Sequence, residues 1–263
     1  MLTEERLVRI MDQLREKSFV SIKDLMETLD VSRSSIMRDL QELEEQHLIR
    51  RVRGGASIVD TSTLLTRYNE PAVMFKEDTY KEAKKMICQN ALKVIKDGDC
   101  IFVDSGTTPL GLIEGLRYRD IEMVTPNTYL LQKLPLDFKG QIYLLGGEFS
   151  KKYDTSYGSM TLDLIEHFHF DACFMTANGV DLESQEVMAF DLNVAGIKKA
   201  VLKRSEKAYL MADHSKLYTK GFCTWANLSQ FTNVFLDTFP QGKPVPQNFV
   251  VSEETSYESV KKK

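Results

Sequence analysis

Residues 20–44 read VSIKDLMETLDVSRSSIMRDLQELE, and this stretch decides the fold of the N-terminal part of the chain. Ser21 and Ser32 are each followed by apolar residues at helical spacing, so each hydroxyl can cap the start of a helix. Residues 30–31 separate the two helices as a short turn. The apolar faces are Ile22, Leu25, Met26 and Leu29 in the first helix and Ile36, Leu40 and Leu43 in the second. The pattern predicts two short helices that pack across a tight turn.

The segments on either side complete a small domain. A helix beginning near Thr3 carries Leu7, Ile10, Met11 and Leu14 on one face. After residue 47, residues 48–52 alternate as a strand, residues 53–55 (Arg-Gly-Gly) turn, and residues 56–59 return. Three helices followed by a β-hairpin predict a winged helix-turn-helix domain over residues 1–58.

The second helix of such a motif places its N-terminal residues against base edges in the major groove. Arg33 can bind guanine or a phosphate, Arg38 suits a backbone contact, and the acidic Glu42, Glu44 and Glu45 should face away from a duplex. The alternative is a three-helix interaction module with a solvated arginine cluster. The DNA-contacting residues that we predict are Ser32, Arg33, Ser34, Ser35, Arg38, Arg51 and Arg53, with Arg50 in the same basic run.

The composition narrows the functional class. The 263 residues are 43% hydrophobic and 27% charged, and the net charge of −4 excludes a globally basic DNA-binding protein, so a nucleic-acid contact must be local. The four cysteines are scattered, which argues against a metal or redox motif. No signal-peptide core and no apolar run of about 18 residues is visible. We therefore expect a cytoplasmic protein with no membrane association, no metal and no cofactor.

Beyond residues 59–79, which are predicted to be a linker, short apolar strands alternate with helices. This alternation predicts a mainly parallel α/β domain over residues 80–250. Strands are expected at residues 100–103, 123–125, 141–145, 172–176, 207–211 and 234–237, and helices at 109–116, 128–134, 161–168 and 191–204.

Polar segments follow three of these strands. Residues 104–109 (Asp-Ser-Gly-Thr-Thr-Pro) lead from a strand into a helix, and such a turn can bind an anion through its N–H groups and hydroxyls. Residues 146–152 and 212–216 would reach the same carboxyl edge of a parallel sheet, where α/β proteins bind ligands. A plain strand-to-helix turn capped by threonine is the alternative for the first segment.

Both parts of the chain resemble the DeoR-type bacterial transcriptional regulators. The resemblance rests on residues 31–40 and 48–56 and on the sensor motifs at 104–108, 125–127, 145–147, 178–181 and 213–216. It implies a sensor domain with the ribose-5-phosphate isomerase fold that binds a phosphorylated sugar. By the resemblance Gly106, Thr107, Thr108 and Lys216 hold the phosphate. The remaining ligand-binding candidates are Asp104, Ser105, Asn127, Gly146, Gly147, Lys152, Asn178, Asp181 and Asp213.

The sequence departs from the family at a few positions. Met37 stands where an Arg is usual, Pro126 interrupts the usual Thr-Asn-Ser, and Gln185 stands where a Gly is common. The isomerase signature of this fold has three acids, and two of those positions are Met175 and Asn178 here, so proton transfer lacks its carboxylates.

We therefore expect a non-enzymatic regulator, a repressor of sugar-metabolism genes, that binds double-stranded operator DNA. Operator half-sites mirror protein symmetry, which implies a homo-oligomer, dimer or tetramer. The alternatives are an isomerase-like enzyme with an appended regulatory head and a protein–protein adaptor.

Overall fold

The computed structural model describes residues 3–17, 19–45, 48–58 and 70–252, and His47 and most of the predicted linker lie outside these ranges. The N-terminal domain contains three helices and a small antiparallel sheet with the strand order β1-β3-β2. Its elements are α1 (Thr3–Lys17), β1 (Phe19–Ser21), α2 (Ile22–Leu29), α3 (Arg33–Glu45), β2 (Ile49–Val52) and β3 (Gly55–Ile58). The predicted winged helix is confirmed, with β1 as an additional strand.

The caps that start the two central helices, and the turn that ends the first of them, are those predicted. The Ser21 hydroxyl accepts a hydrogen bond from the Asp24 N–H at 3.1 Å, and the Ser32 hydroxyl accepts one from the Ser35 N–H at 3.3 Å. Asp30 adopts a left-handed conformation with φ of 52° and ends α2. The turn between the helices is therefore fixed by local hydrogen bonds.

A single apolar core holds the domain together. Leu14 of α1, Leu25 of α2 and Leu40 of α3 are fully buried in it. The Arg6 guanidinium also joins α1 to α3, because it donates to both carboxylate oxygens of buried Asp39 at 2.5 and 2.8 Å. Asp39 of the Arg-Asp-Leu sequence thus has a structural role in the N-terminal domain, the DNA-binding head.

The C-terminal domain is built on a seven-stranded parallel sheet. Its strands are β4 (Cys100–Val103), β5 (Glu122–Thr125), β6 (Gln141–Leu144), β9 (Phe170–Thr176), β12 (Ser205–Ala212), β14 (Asn233–Leu236) and β15 (Phe249–Val251). They lie in the order β15-β14-β12-β9-β4-β5-β6, and every neighbouring pair is parallel. The predicted α/β class is confirmed.

Helices flank this sheet and bury both of its faces. They are α4 (Lys81–Leu92), α5 (Ile113–Leu116), α6 (Thr128–Gln132), α7 (Ser159–Ile165) and α8 (Leu192–Lys203). Phe102 belongs to one core cluster and its neighbours Ile101 and Val103 to the other, as expected when strand side chains alternate between faces. The inner strands β4, β9 and β12 therefore contain consecutive buried residues rather than an alternating pattern.

Several elements were not predicted. A hairpin pairs β7 (Glu148–Ser150) with β8 (Thr155–Tyr157), and a separate antiparallel sheet contains β10 (Gly179–Asp181), β11 (Glu186–Ala189) and β13 (Cys223–Asn227). The helix predicted at 109–116 is a 3₁₀ segment, Thr108–Leu112, followed by the short α5. Such a short helix adds little dipole to an anion site, so the loop before it must bind through amides and side chains.

Ten residues that precede α4 connect the two domains. We call residues 70–79 the connector. It contains one 3₁₀ turn, Val73–Lys76, in which Val73 and Phe75 are buried. The boundaries predicted for the domains and linker remain predictions, although this part of the linker packs against both domains.

Candidate functional site

The start of α3 presents the predicted DNA-reading residues to solvent. Ser32, Arg33 and Ser34 are exposed. The Ser32 hydroxyl lies 2.9 Å from the Ser34 hydroxyl and 3.0 Å from that of Ser35, which is half-buried. Arg38, one turn along the helix, is exposed and donates from Nε to the Ser34 carbonyl at 3.3 Å. Small hydroxyl side chains at this end leave room for a duplex and can bond to it.

The wing carries the other predicted contacts. Arg50, Arg51 and Arg53 are exposed. Glu44 does not face away as expected, because its carboxylate accepts from the Arg51 N–H at 2.9 Å and from Arg51 Nε at 2.5 Å. These bonds lower the pKa of Glu44. Glu44 therefore positions the wing against α3 and offsets part of its charge, which leaves Arg50 and Arg53 as the wing's stronger DNA candidates.

The loop at residues 104–108 follows β4, which lies next to the central strand β9. Gly106 has a φ of +100°, a conformation that glycine adopts without strain. Behind the loop, the buried Asn127 amide donates to the carbonyls of Asp104 at 3.2 Å and Gly106 at 2.9 Å. The Asn127 side-chain oxygen also accepts from the Leu130 N–H at 3.0 Å. Asn127, a predicted ligand contact, thus supports the loop from behind.

Asp104 and Lys198 form a buried ion pair beneath this loop, and each side chain is 2% exposed. The Asp104 carboxylate also accepts from the N–H groups of Ser105 and Thr176, both at 2.8 Å. Lys198 donates to the Thr176 carbonyl at 2.9 Å. Asp104, which we expected to contact a ligand, is engaged by these donors and fixes the ends of β4 and β9.

A cavity of about 100 Å³ opens at the carboxyl ends of β4, β9 and β12. Four lysines and two carboxylates line it, so its polar surface suits an anion. The predicted ligand residues that line the cavity are Ser105, Gly106, Thr107, Thr108, Asn178, Asp213 and Lys216. The lining residues that the sequence did not reveal are, among others, Glu70, Lys76, Lys84 and Lys198.

The two buried lysines had a signal in the sequence. Lys84 precedes Ile87, Cys88 and Ala91 by three, four and seven positions, so it belongs to the buried stripe of α4. Lys198 lies three residues from both Ala195 and Val201 on the buried face of α8. A lysine within an apolar stripe needs a buried partner, and each of these finds one at the cavity.

Lys216 reaches the cavity from the 3₁₀ helix His214–Tyr218. Its ammonium lies 4.0 Å from Asp213 Oδ2, and its side chain is 28% exposed. Asp213 is held in turn, because its Oδ1 accepts from the Ser215 N–H at 3.1 Å. Lys216 is thus a partly solvated cation beside the hydroxyls of the loop.

Other predicted ligand residues lie away from the cavity because of the strand order. Gly146 and Gly147 follow β6, the edge strand, which is two strands from β4 and so about 10 Å away. The Gly146 carbonyl accepts from Thr161 at 2.7 Å, and a Cβ on Gly147 would meet the Thr161 hydroxyl oxygen at 2.2 Å. This turn packs on α7 and does not line the cavity.

Asp181 and Lys152 are also outside the cavity lining. Asp181 accepts from the N–H groups of Glu183 and Ser184 at 2.8 and 3.1 Å, which lowers the pKa of Asp181 and shapes the β10–β11 turn. The Lys152 carbonyl accepts from Val73 of the connector at 3.1 Å, and burial lowers the pKa of its side chain.

The positions that would carry isomerase acids hold no base in the cavity. Met175 is fully buried in the core, and the Asn178 amide donates to Glu70 Oε1 at 3.0 Å. Within the described residues, no group of three or more His, Cys, Asp or Glu side chains could hold a metal ion. None of the helices described there is long and apolar enough to cross a membrane.

Comparison with known proteins identifies the family of both domains. The model of the DeoR-like helix-turn-helix domain matches residues 6–62, and that of the DeoR C-terminal sensor domain matches residues 79–238. Over 238 residues, the chain is 32% identical to the uncharacterized HTH-type transcriptional regulator FruR of Bacillus subtilis, covering 90% of this chain and 92% of the relative.

Two further comparisons cover different lengths of the chain. The chain is 29% identical over 232 residues to the glycerol-3-phosphate regulon repressor of Escherichia coli, covering 88% of this chain and 89% of that protein. Among solved structures, ribose 5-phosphate isomerase A from Methanocaldococcus jannaschii overlaps 52% of this chain and 55% of its own, at 14% identity and a TM-score of 0.39. On the two matching domain models and the relative that it matches over nearly its whole length, the chain belongs to the DeoR family of transcriptional regulators.

Proposed function

We propose that the chain is a repressor of sugar-metabolism genes whose operator binding is controlled by a phosphorylated sugar. The observation that carries this proposal is the cavity, in which the hydroxyls of residues 105–108 lie beside the cations of Lys84 and Lys216. A phosphate monoester needs hydrogen-bond donors and positive charge, and both are present there. The E. coli relative, named for the glycerol-3-phosphate regulon, agrees with an effector of this class.

The polar groups around the cavity suit the two parts of such an effector, its phosphate and its sugar hydroxyls. Lys84 and Thr107 are in contact at 2.8 Å, and together with Thr108 they suit the phosphate. Glu70, Asn178 and Asp213 are the groups that can bond to sugar hydroxyls. The sugar itself is set by this second set of groups, where the chain departs from the isomerase acids.

The proposed DNA-binding surface is formed by α3 and the wing. Ser32, Arg33 and Ser34 would read bases, while Arg38 and Arg53 would hold the phosphate backbone. A regulator of this kind acts in the cytoplasm. It acts as a homo-oligomer, because two winged helices must bind the two half-sites of an operator.

The test is a thermal-shift screen of sugar phosphates against the matching free sugars, followed by two reciprocal variants. A bound phosphate ester raises the melting temperature by mass action, and the free sugar does not. Lys216→Ala should remove that shift and keep DNA binding on a duplex selected from random sequences by the purified chain. Arg33→Ala should abolish DNA binding and keep the shift. A screen with no shift for any phosphate ester would reject the proposed effector class.

A further inference from the structure

The connector is shared by the two domains. Glu70, Val73 and Lys76 line the cavity, whereas Phe75 is 1% exposed and belongs to the apolar core of the winged helix. A 3₁₀ helix has three residues per turn, so side chains at i and i+3 lie on one side. Val73 and Lys76 therefore face the cavity together, and Phe75 projects from another side of the same turn into the DNA-binding head.

The residues that suit a phosphate also hold this turn in place. The Lys84 ammonium donates to the carbonyl of Lys76, to that of Glu77 at 3.4 Å and to the Thr107 hydroxyl at 2.8 Å. The Thr107 hydroxyl donates to the Lys76 carbonyl at 3.3 Å. An ammonium has three N–H groups, so a phosphate that approaches Lys84 must displace at least one of these acceptors.

A second set of bonds ties the start of the connector to the cavity. Glu70 is 2% exposed, and its Oε1 accepts from Lys76 Nζ at 2.6 Å and from the Asn178 amide at 3.0 Å. These groups also suit the sugar end of an effector. Sugar hydroxyls therefore compete for the bonds that hold Glu70, just as a phosphate competes for Lys84.

The size of the cavity also indicates that the connector must move when an effector binds. About 100 Å³ is open, whereas pockets that hold small organic ligands usually measure roughly 300–1,000 Å³. Glu70, Val73 and Lys76 of the connector form part of the cavity wall. A sugar phosphate can be accommodated when this wall moves outward.

We propose that effector binding changes the position of the connector, and that this movement changes the packing of the winged helix. Phosphate takes the Lys84 ammonium and the Thr107 hydroxyl from the Lys76 carbonyl, and the released 3₁₀ turn shifts Phe75 within the helical core. A ligand changes a conformational equilibrium only through its different affinity for the two states. The bonds lost by Lys76 and Glu77 and gained by phosphate supply that difference. The inference rests on the phosphate site of the proposed function.

The first test compares hydrogen exchange of the full-length protein in inorganic phosphate and in chloride at equal ionic strength. Phosphate should slow hydrogen exchange at residues 105–108, where it binds. It should speed exchange several-fold at residues 73–79 and in α1, because the carbonyls of Lys76 and Glu77 lose the hydrogen bonds that hold the turn. Protection at 105–108 with no change at 73–79 and α1 would overturn the connector's role and leave the phosphate site standing. Unchanged exchange in both regions would reject the phosphate site itself, and the coupling with it.

The second test uses a conservative variant with a matched control. Phe75→Leu keeps an apolar side chain but loosens its fit, so the change in DNA affinity caused by inorganic phosphate should fall several-fold. Leu40→Val trims a fully buried side chain of the same core outside the connector and should leave that change intact. Phosphate protection at residues 105–108 serves as the binding readout and should persist in both variants. Equal phosphate effects on DNA affinity in the two variants would refute the coupling.

Discussion

Asp104 and Lys198 form a buried ion pair beside the cavity, and Lys198 is one of its lining residues. Their ion pair is almost inaccessible to water, and Lys198 Nζ also lies 5.3 Å from the centre of the Trp225 ring. A buried pair adds little net stability over an apolar pair, but breaking it leaves an unpaired buried charge. The pair therefore works as a positional constraint on the loop that follows β4.

Asp104→Asn should lower the free energy of unfolding by about 3–5 kcal/mol, because Lys198 loses its counter-charge. Adding Lys198→Met removes that charge and should recover part of the loss. Urea denaturation followed by fluorescence of Trp225, the one tryptophan of the chain, measures both changes. Asp137→Asn, which breaks the exposed pair with Arg117, is the control and should cost far less, because water screens that pair. Equal losses in Asp104→Asn and Asp137→Asn would contradict this reading.

The thiols offer a prediction from pKa values. Burial raises the pKa of Cys88 and of Cys173 to about 12 and that of Cys100 to about 11. The thiolate is the reactive form, so at pH 8 about one in ten thousand of the Cys88 and Cys173 thiols is reactive. The disulfide reagent DTNB should therefore leave both unmodified in the native protein and label them once urea unfolds it. Labelling of native Cys88 at the unfolded rate would disprove this assignment.

Helices and strands differ in how far the sequence predicts them. The caps at Ser21 and Ser32 and the turn at Asp30 are local, so their pattern was sufficient to place α2 and α3. The sequence predicts the ends of six strands of the parallel sheet to within two residues, but it predicts neither the edge strand β15 nor the order of the strands. Strand order depends on contacts between distant segments, and it is the reason that Gly146 and Gly147 lie away from the cavity.

The connector shows the other limit of sequence reasoning. Residues 70–79 lack a helical or alternating pattern, so the sequence predicts a linker there. Their role comes from pairs far apart in the chain, such as Lys84 with the Lys76 carbonyl and Asn178 with Glu70. Lys84 and Lys198 could have been found as lysines in apolar stripes, but the identity of their partners requires the fold.

Helix α3 gives a prediction for DNA binding. Met37 is 36% exposed and lies one turn after Arg33 on the same face. Met37→Arg adds a cation there, so DNA affinity should rise and the slope of log K against log salt should steepen by about 0.9, as expected for one further phosphate contact. Filter binding at several salt concentrations measures the slope. Asn193→Arg adds the same charge at an exposed position of α8, in the sensor domain, and should leave the slope unchanged. An equal slope in both variants would show that position 37 does not face DNA.

At the scale of the whole molecule, charge and connection act together. The chain has a net charge of −4, so a DNA contact must be local, and we propose that it lies on the surface of α3 and the wing. Phe75 anchors the connector in the head, while Lys84 and Asn178 hold it from the sensor domain. The connector therefore holds the winged helix in a defined orientation relative to the sensor domain. We propose that a change in the cavity alters this orientation.

A fixed orientation of the winged helix predicts that DNA binding depends on the helical phase of the operator. If two copies present their heads from one symmetric oligomer, the half-sites must face the same side of a duplex with about 10.5 base pairs per turn. Inserting five base pairs between the half-sites should weaken binding at least about tenfold, since it rotates one half-site to the opposite side, and inserting ten should restore most of the affinity. Electrophoretic mobility shifts on the three duplexes measure this. Equal affinity for all three would mean that the heads bind independently, and the oligomer would then not set their spacing.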